Sequence, residues 1–156
     1  MKYQPKLHIV LYQPEIPPNT GAVGRTCVAL GAKLWLVRPL GFRMDEKALR
    51  RAGLDYWQHL DWEICDTWEH LEASLAPRKR TFFFSRFATR SYTTIAYKQA
   101  DCLVFGSETT GLPKAITEPN SENLLRIPTE SNVRSLNLAS AVAVAGFEAA
   151  RQIHLG

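Results

Sequence analysis

The polar loop near the C-terminal end of the chain carries residue types suited to ligand binding. A strand-like run, Leu124 to Ile127, ends at Pro128, and the loop that follows is rich in hydrogen-bonding groups: Ser131, Asn132, Arg134, Ser135 and Asn137. A helix with few charges and many small residues comes next. Because α/β folds bind ligands in loops at strand ends, this loop predicts a binding site. Two alternatives stay open: Ser135 and Asn137 could cap the helix, and Arg134 could be a solvated charge.

The segment Asn19-Thr20-Gly21-Ala22-Val23-Gly24-Arg25 follows an apolar run and opens a predicted helix. Its glycines allow close backbone approach, and a helix N-terminus attracts anions, so Arg25 could hold a phosphate with its guanidinium fork. The segment has neither the G-x-G-x-x-G of a Rossmann fold nor the G-K-[ST] of a Walker loop. A capped helix with a surface arginine is the alternative interpretation.

The segment from Phe105 to Pro113 is a strand end that runs into a turn with two glycines. Gly106 would let a ligand lie against the backbone. Glu108 is a charged group at the carboxyl end of a strand, where it could serve a site or remain a surface charge.

Composition sets broad limits on the protein class. The chain has 156 residues, a net charge of +4 and 22% charged residues, which predicts one soluble domain over residues 1–156. The slight positive charge is compatible with a nucleic acid partner. Three cysteines without CxxC spacing and four scattered histidines indicate reduced thiols and no metal site. No secretory signal or membrane span is found in the sequence, so we expect a cytoplasmic protein.

Apolar runs alternate with helical patterns, which predicts an α/β fold with a mainly parallel sheet and helices on both faces. Strands are expected at residues 7–12, 33–37, 81–85, 101–106 and 124–127. Helices are expected from an Asn19 or Thr20 cap to Leu30, from an Asp45 cap to Gly53, from a Thr67 cap to Leu75, and from near Leu136 to Ile153. On the last helix, one face of small residues is expected, formed by Ala139, Val142, Ala143, Gly146, Phe147 and Ala150.

Taken together, the three polar segments resemble the SPOUT class of RNA methyltransferases. That class has an N-x-G-x-x-x-R block, an F-G-x-E-x-x-G-L block and an I-P…S-x-N block before the last helix, and all three occur here in order. The stretches PEIPPNTG, RRAGLDYW and RSLNLASAVAV are further similar to a minimal subgroup that methylates the wobble ribose of leucine tRNAs. The resemblance covers nearly the whole chain and implies a single methyltransferase domain with no separate RNA-binding domain.

The resemblance implies a C-terminal trefoil knot and a homodimer that binds the tRNA anticodon loop. It also implies S-adenosylmethionine as the cofactor, with S-adenosylhomocysteine as product, held mainly by backbone groups of Phe84, Gly106, Ile127 and Ser135. Arg25 of one subunit is expected near the cofactor of the other.

Residue roles also follow from the resemblance. Catalytic roles are implied for Arg25, Glu108 and Asn137, and RNA contacts for Asn19, Arg25, Arg134, Arg50 and Arg51. Arg50 and Arg51 belong to a basic cluster that could equally be solvated surface. Because a guanidinium group stays protonated, we expect Arg25 to bind a phosphate and stabilise the developing alkoxide rather than act as a base.

Two departures from relatives bear on RNA binding and the interface. The chain has Ser85-Arg86-Phe87 where relatives often have threonines and a lysine, and Phe147 where some have tyrosine. Three other functions stay open: methylation of another tRNA position or of rRNA, a non-catalytic RNA-binding protein on the same scaffold, and a nucleotide-dependent oxidoreductase, which lacks its glycine fingerprint.

Overall fold

A computed structural model describes residues 4–43, 55–76 and 80–155. Within them, six parallel strands form one sheet in the order β3-β2-β1-β5-β4-β6. The strands are β1 (Leu7–Tyr12), β2 (Ala32–Val37), β3 (Trp62–Cys65), β4 (Thr81–Phe84), β5 (Cys102–Phe105) and β6 (Leu124–Leu125). In register, Ile9 of β1 pairs with Leu34 on one side and Leu103 on the other. The predicted parallel sheet is confirmed.

Four α-helices connect or cover these strands in the described residues. They are α1 (Pro17–Leu30), α2 (Trp68–Leu75), α3 (Lys114–Thr117) and α4 (Leu138–Ala150). Short 3-10 turns span Asp55–His59, Tyr92–Thr94 and Ser121–Asn123, and a π-helical turn, Arg151–Leu155, follows α4.

Alternation along the strands places a separate core on each face of the sheet. Leu7, Ile9 and Leu11 share one buried cluster with residues of α1 and α4. Val10 points to the opposite cluster, where Leu71 and Leu75 of α2 are buried. Because successive side chains of a strand point to opposite faces, strands that are apolar throughout need helices on both sides. The predicted α/β architecture is confirmed.

Local signals gave most element ends correctly, with one clear correction. Thr67 caps α2 by accepting the backbone N–H of His70, and Gly31 ends α1 in the left-handed region at φ 69°, both as predicted. The predicted Asn19 or Thr20 cap of α1 is wrong. The helix begins at Pro17, because proline suits the first helical positions, whose N–H groups have no partner within the helix.

Other expected elements shift by a few residues or fall outside the description. Strand β3 was not predicted; it is an edge strand that pairs with β2 alone, and its sequence mixes polar and apolar residues. The last helix begins at Leu138, two residues later than expected, and its helical structure continues past Ala150 as the π-helical turn to Leu155. Strand β6 ends at Leu125 rather than Ile127. The expected helix from Asp45 to Gly53 lies outside the described residues.

The three cysteines, Cys27, Cys65 and Cys102, are buried and form no disulfide, in agreement with the expectation of reduced thiols. Within residues 4–43, 55–76 and 80–155, no helix has the length and apolar character to cross a membrane.

Helix α4 packs against α1 through a buried stripe that differs from the predicted face. Its buried residues are Leu138, Val142, Ala145, Gly146, Ala149 and Ala150. Phe147, expected on the same face, is 50% exposed, and Val144 is 39% exposed. A Cβ at Gly146 would lie 2.6 Å from the Leu30 side chain, so the glycine allows the two helices to approach closely. The outward side of α4 therefore keeps an apolar surface.

Gly24→Ala is expected to lower the free energy of unfolding by about 1–2 kcal/mol, even though alanine favours a helix. A Cβ at residue 24 would lie 2.5 Å from a ring carbon of Trp57 and 3.2 Å from Leu60. The rigid indole would have to move. Denaturant unfolding measures the effect, with Ala22→Gly on the exposed side of α1 reporting helix propensity alone. A Gly24→Ala variant more stable than the parent protein would contradict the packing argument.

Candidate functional site

A cavity of about 450 Å³ lies where the carboxyl ends of β4, β5 and β6 meet the N-terminal ends of α1 and α4. This volume falls in the range of about 300–1,000 Å³ that small-molecule sites occupy. The lining comes from five stretches of chain: Ile16 and Asn19; Phe84 to Phe87; Phe105 to Leu112; Leu125 to Ile127; and Arg134 to Leu138 with Ala141. The three polar segments of the sequence therefore meet around one space.

The floor of the cavity includes a stacked pair of phenylalanine rings. Phe84 ends β4 and Phe105 ends β5. These two residues are paired in the register of the two strands, which brings their rings into contact. Their centroids are 4.6 Å apart and their planes differ by 13°. Phe84 is 9% exposed and Phe105 2%, so the two rings are core residues that give the cavity an apolar wall.

Glu108 connects the β5 turn to the start of α1. Its Oε1 accepts the backbone N–H of Glu15 at 2.9 Å, and its Oε2 accepts the backbone N–H of Ile16 at 2.9 Å and Asn19 Nδ2 at 3.2 Å. The N-cap residue Ile16 has no side-chain cap of its own. A carboxylate at a helix N-terminus is stabilised by the free N–H groups and the helix dipole, so Glu108 caps α1 from 92 residues away.

The same network continues to the last helix through two asparagines. Asn137 Nδ2 donates to Asn19 Oδ1 at 3.1 Å. Asn137 Oδ1 accepts the backbone N–H groups of Ala139 at 2.9 Å and Ser140 at 3.3 Å, so it caps α4. The alternative interpretation of Asn137 as a helix cap is thus correct, and its amide also joins α4 to α1. One hydrogen-bonded chain, Glu108 to Asn19 to Asn137, links all three polar segments.

Glu15, in the loop before α1, forms the reciprocal contact. Its carboxylate accepts the backbone N–H of Thr109 at 2.9 Å and the Thr109 hydroxyl at 3.1 Å. Glu15 and Glu108 therefore each hold the backbone of the other's loop. The hydrogen bonds from the Thr109 backbone and side chain lower the pKa of Glu15 below its ordinary value of 4.5.

Glu15 is expected to titrate below pH 4.5 in the folded protein. A lowered pKa means that the Thr109 contacts add stability above the pKa of the unfolded chain, and that this contribution is lost as pH falls through the folded value. An NMR titration of the Glu15 carboxyl group tests this. Thr109→Ala removes the hydroxyl and should move the midpoint upward, while Thr89→Ala, on another exposed loop, should leave it in place. An unshifted midpoint in the parent protein would contradict the contact.

Glycine at position 106 was expected to make room for a ligand against the backbone, but the structure shows another reason for it. A Cβ at this position would overlap the backbone of Gly111 and Leu112, which closes back on the strand end. Gly111 itself has φ +68°, and its N–H donates to the Ser107 carbonyl at 3.0 Å. The backbone of the turn, rather than a ligand, fills the space that the missing side chain of Gly106 leaves.

The structure brings most of the predicted site residues together. Those that line the cavity are Asn19, Phe84, Gly106, Glu108, Ile127, Arg134, Ser135 and Asn137. Sequence reasoning did not single out two further lining residues, Arg126 and Leu125, because they lie inside a strand-like run whose facing is set by the sheet. Arg50 and Arg51 lie outside the described residues.

Arg25 is the predicted site residue that does not line the cavity of its own chain. It is exposed on α1, with its guanidinium carbon 5.9 Å from the centroid of the Tyr56 ring. The Tyr56 hydroxyl in turn donates to the Gly21 carbonyl at 2.6 Å. Arg25 is therefore held on the outer side of α1.

In the part of the chain that the structure describes, no group of three or more His, Cys, Asp or Glu side chains is placed to hold a metal ion.

Comparison with known proteins gives consistent matches along the chain. A tRNA (cytidine(34)-2'-O)-methyltransferase from Methylovorus glucosotrophus is 46% identical over 145 residues, which cover 92% of this chain and 94% of the relative. The enzyme of the same name from Saccharophagus degradans is 44% identical over 147 residues, covering 94% and 95%.

Solved structures match as well. One, described as giving insights into the 2-OH methylation of C/U34 on tRNA, is 47% identical with a TM-score of 0.87 and covers 94% of this chain and 95% of its own. An AdoMet-bound rRNA methyltransferase from Sinorhizobium meliloti is 28% identical with a TM-score of 0.81, covering 96% of this chain and 58% of its own. The SpoU rRNA Methylase family matches residues 6–147. The chain, with its three motif segments gathered around one cavity, belongs to the SpoU methylase family, as its resemblance to SPOUT methyltransferases predicted.

Proposed function

We propose that this protein transfers the methyl group of S-adenosylmethionine to the ribose 2′-hydroxyl of the wobble nucleotide, cytidine or uridine 34, of leucine tRNAs. The observation that carries the proposal is the single cavity around which Glu108, Asn19 and Asn137 join the three motif segments. The choice of tRNA is supported by relatives above 40% identity that are named tRNA (cytidine(34)-2'-O)-methyltransferases. The rRNA methyltransferase match is weaker, at 28% identity.

The residues of the cavity fit S-adenosylmethionine. Phe84 and Phe105 give the cavity an apolar wall that suits the adenine ring, and Gly106, Ile127 and Ser135, the residues expected to hold the cofactor through their backbone, also line it. When bound, the cofactor supplies a sulfonium methyl group as the electrophile. The chain's own residues then have to position the ribose hydroxyl and stabilise the charge that develops on it.

Glu108 and Asn137 act in this proposal as positioning residues. Both carboxylate oxygens of Glu108 accept hydrogen bonds from the loop before α1 and from Asn19, so the group is committed to orienting that loop. Asn137 holds the start of α4 against Asn19. Rigid placement of the two helix ends sets the shape of the cavity, and correct positioning of reactants supplies a large share of enzymatic rate enhancement.

We further infer a homodimer formed through α1 and α4. The two helices pack side by side, and the outward side of α4 exposes Val144 and Phe147. Arg25 faces outward from α1 and does not line its own cavity, so a partner subunit packed there would bring Arg25 toward the partner's cavity. Its guanidinium group would bind the phosphate next to the target nucleotide and stabilise the developing alkoxide, and the phosphate or water would take the proton.

The C-terminal trefoil knot and the single domain without a separate RNA-binding domain stay predictions. So do contact with the anticodon loop and RNA contacts from Arg50, Arg51 and Arg134. Arg134 lines the cavity and is exposed, which is compatible with contact to an anionic substrate.

Transfer of labelled methyl from S-adenosylmethionine to bulk tRNA, followed by nuclease mapping, tests the proposal. Label on the 2′-oxygen of the wobble nucleotide of leucine tRNA is the expected result. Label at another tRNA position or on rRNA would support the methyltransferase activity and contradict the proposed substrate. Cofactor binding without transfer to any RNA would favour a non-catalytic RNA-binding protein.

A further inference from the structure

The turn after β4 places an aromatic ring in solvent at the mouth of the cavity. Phe87 is 78% exposed, the largest exposed fraction among the large hydrophobic side chains of the described residues. It nevertheless lines the cavity together with Ser85 and Arg86. Exposure of a whole phenylalanine ring to water is unfavourable. An isolated exposed apolar residue needs no explanation, but one at the rim of a functional cavity calls for a partner.

The turn holds this ring in position. Ser85 Oγ accepts the backbone N–H of Phe87 at 3.1 Å, and the Ser85 carbonyl accepts the backbone N–H of Ala88 at 3.2 Å. Ala88 is only 5% exposed and anchors the end of the turn in the core. The ring is therefore presented by a hydrogen-bonded turn directly after β4, a strand that is paired on both sides. Such preorganisation lowers the entropy lost on binding.

The surroundings of the ring are positively charged. The Arg86 guanidinium carbon lies 4.5 Å from the Phe87 ring centroid, in the geometry of a cation–π contact. Among the described lining residues, the charged ones are Arg86, Arg126, Arg134 and Glu108. The Glu108 carboxylate accepts hydrogen bonds from the loop before α1, so the three arginines dominate the charge at the mouth. This charge suits a polyanion, and the planar ring suits a planar group carried by it.

We propose that Phe87, supported by Arg86, is a stacking platform for an unpaired base of the RNA substrate next to the nucleotide that is methylated. The inference rests on the proposed function and adds a substrate-positioning residue to it. Base stacking on an aromatic ring together with arginine contacts to the backbone is the general way that proteins hold single-stranded RNA. Because every base has a π face, the platform accepts any base and positions the strand rather than reading its sequence.

The test compares RNA binding by Phe87→Ala, Phe87→Leu, Phe87→Trp and Arg86→Ala. Fluorescence anisotropy with a labelled anticodon stem-loop of leucine tRNA measures RNA affinity, and calorimetry measures S-adenosylmethionine affinity in the same variants. Phe87→Ala and Phe87→Leu are expected to weaken RNA binding about 5- to 150-fold, the range that loss of one base–aromatic stack produces. Phe87→Trp keeps a ring and should retain binding. Thr89→Ala, two residues along and outside the cavity lining, is the matched control.

The outcomes separate this inference from the proposed function. Unchanged RNA binding by Phe87→Ala, or by Phe87→Leu, overturns the platform even if the parent protein methylates tRNA. Lost S-adenosylmethionine affinity would assign Phe87 to the cofactor site, and a changed oligomeric state would assign it to contact between copies, each against the proposal. If the parent protein binds the stem-loop through Phe87 but transfers no methyl group, the platform stands and the proposed reaction fails.

Discussion

Arg25→Ala is expected to lower kcat for methyl transfer to tRNA by about 10²–10³-fold, the effect of removing one donor that stabilises developing negative charge. S-adenosylmethionine affinity should change little, because the proposed contact of Arg25 is with the RNA phosphate and the developing alkoxide, and not with the cofactor. Steady-state kinetics and calorimetry together measure both quantities. Arg43→Ala, at another exposed arginine, is the matched control and should keep kcat near that of the parent protein.

Mixed dimers test whether Arg25 acts on the partner's cavity. Co-expression of Arg25→Ala and Glu108→Gln under different affinity tags yields mixed dimers. The Arg25→Ala subunit has an intact cavity, and the Glu108→Gln subunit has an intact Arg25. These two parts form one complete site only if Arg25 acts across the interface. We expect such dimers to recover up to half of the parent activity per dimer. Mixed dimers no more active than the Glu108→Gln protein would contradict action across the interface, while the loss in Arg25→Ala alone would still assign the residue to the reaction.

The Arg25→Lys variant tests whether the residue at position 25 accepts the proton of the ribose hydroxyl. Lysine keeps the positive charge but loses the planar fork, so we expect partial activity with an unchanged pH–rate profile. A new ionisation near neutral pH in the profile of this variant would indicate a true general base at this position and would refute charge stabilisation as its role.

Glu108→Gln is expected to lower the free energy of unfolding by about 2 kcal/mol, because hydrogen bonds to a charged acceptor contribute about 1.5–3 kcal/mol each. The glutamine side chain has one oxygen that accepts hydrogen bonds and one NH2 group that donates them. The neighbours of Glu108 are all donors: the backbone N–H groups of Glu15 and Ile16 and the side-chain amide of Asn19. The unsatisfied donors would loosen the start of α1 and the lining of the cavity. We therefore also expect at least a ~10-fold loss in kcat/KM, since small misplacements of reactants slow a reaction strongly.

Denaturant unfolding and steady-state kinetics measure the two effects of Glu108→Gln. Glu130→Gln makes the same chemical change at an exposed carboxylate outside the cavity lining and should alter neither quantity. Lost activity at unchanged stability would contradict the positioning role and would favour direct participation of the Glu108 carboxylate in the reaction.

The position of the three motif segments at one site was predictable from the sequence. Strands β1, β5 and β6 are short apolar runs, and the carboxyl ends of parallel strands lie at the same edge of a sheet. Polar segments that directly follow such runs must therefore meet, whatever the details of packing. Local chemistry also determined several element ends, as the Thr67 cap and the left-handed Gly31 show.

The tertiary structure decided which hydrogen-bond partners each polar side chain has. Glu108 bonds with residues 89 to 93 positions away, and Asn137 bonds with Asn19 at a separation of 118, distances over which no sequence pattern specifies a partner. The closed turn around Gly106 and the outward position of Arg25 depend on how the elements pack. Residue types and spacing thus determined the fold class and the location of the site, and the resemblance of the three motif segments to a known class indicated the family. The sequence alone did not determine which group caps which helix or which side chains face the cavity. Hydrogen bonds between distant segments form only when the sheet brings those segments together.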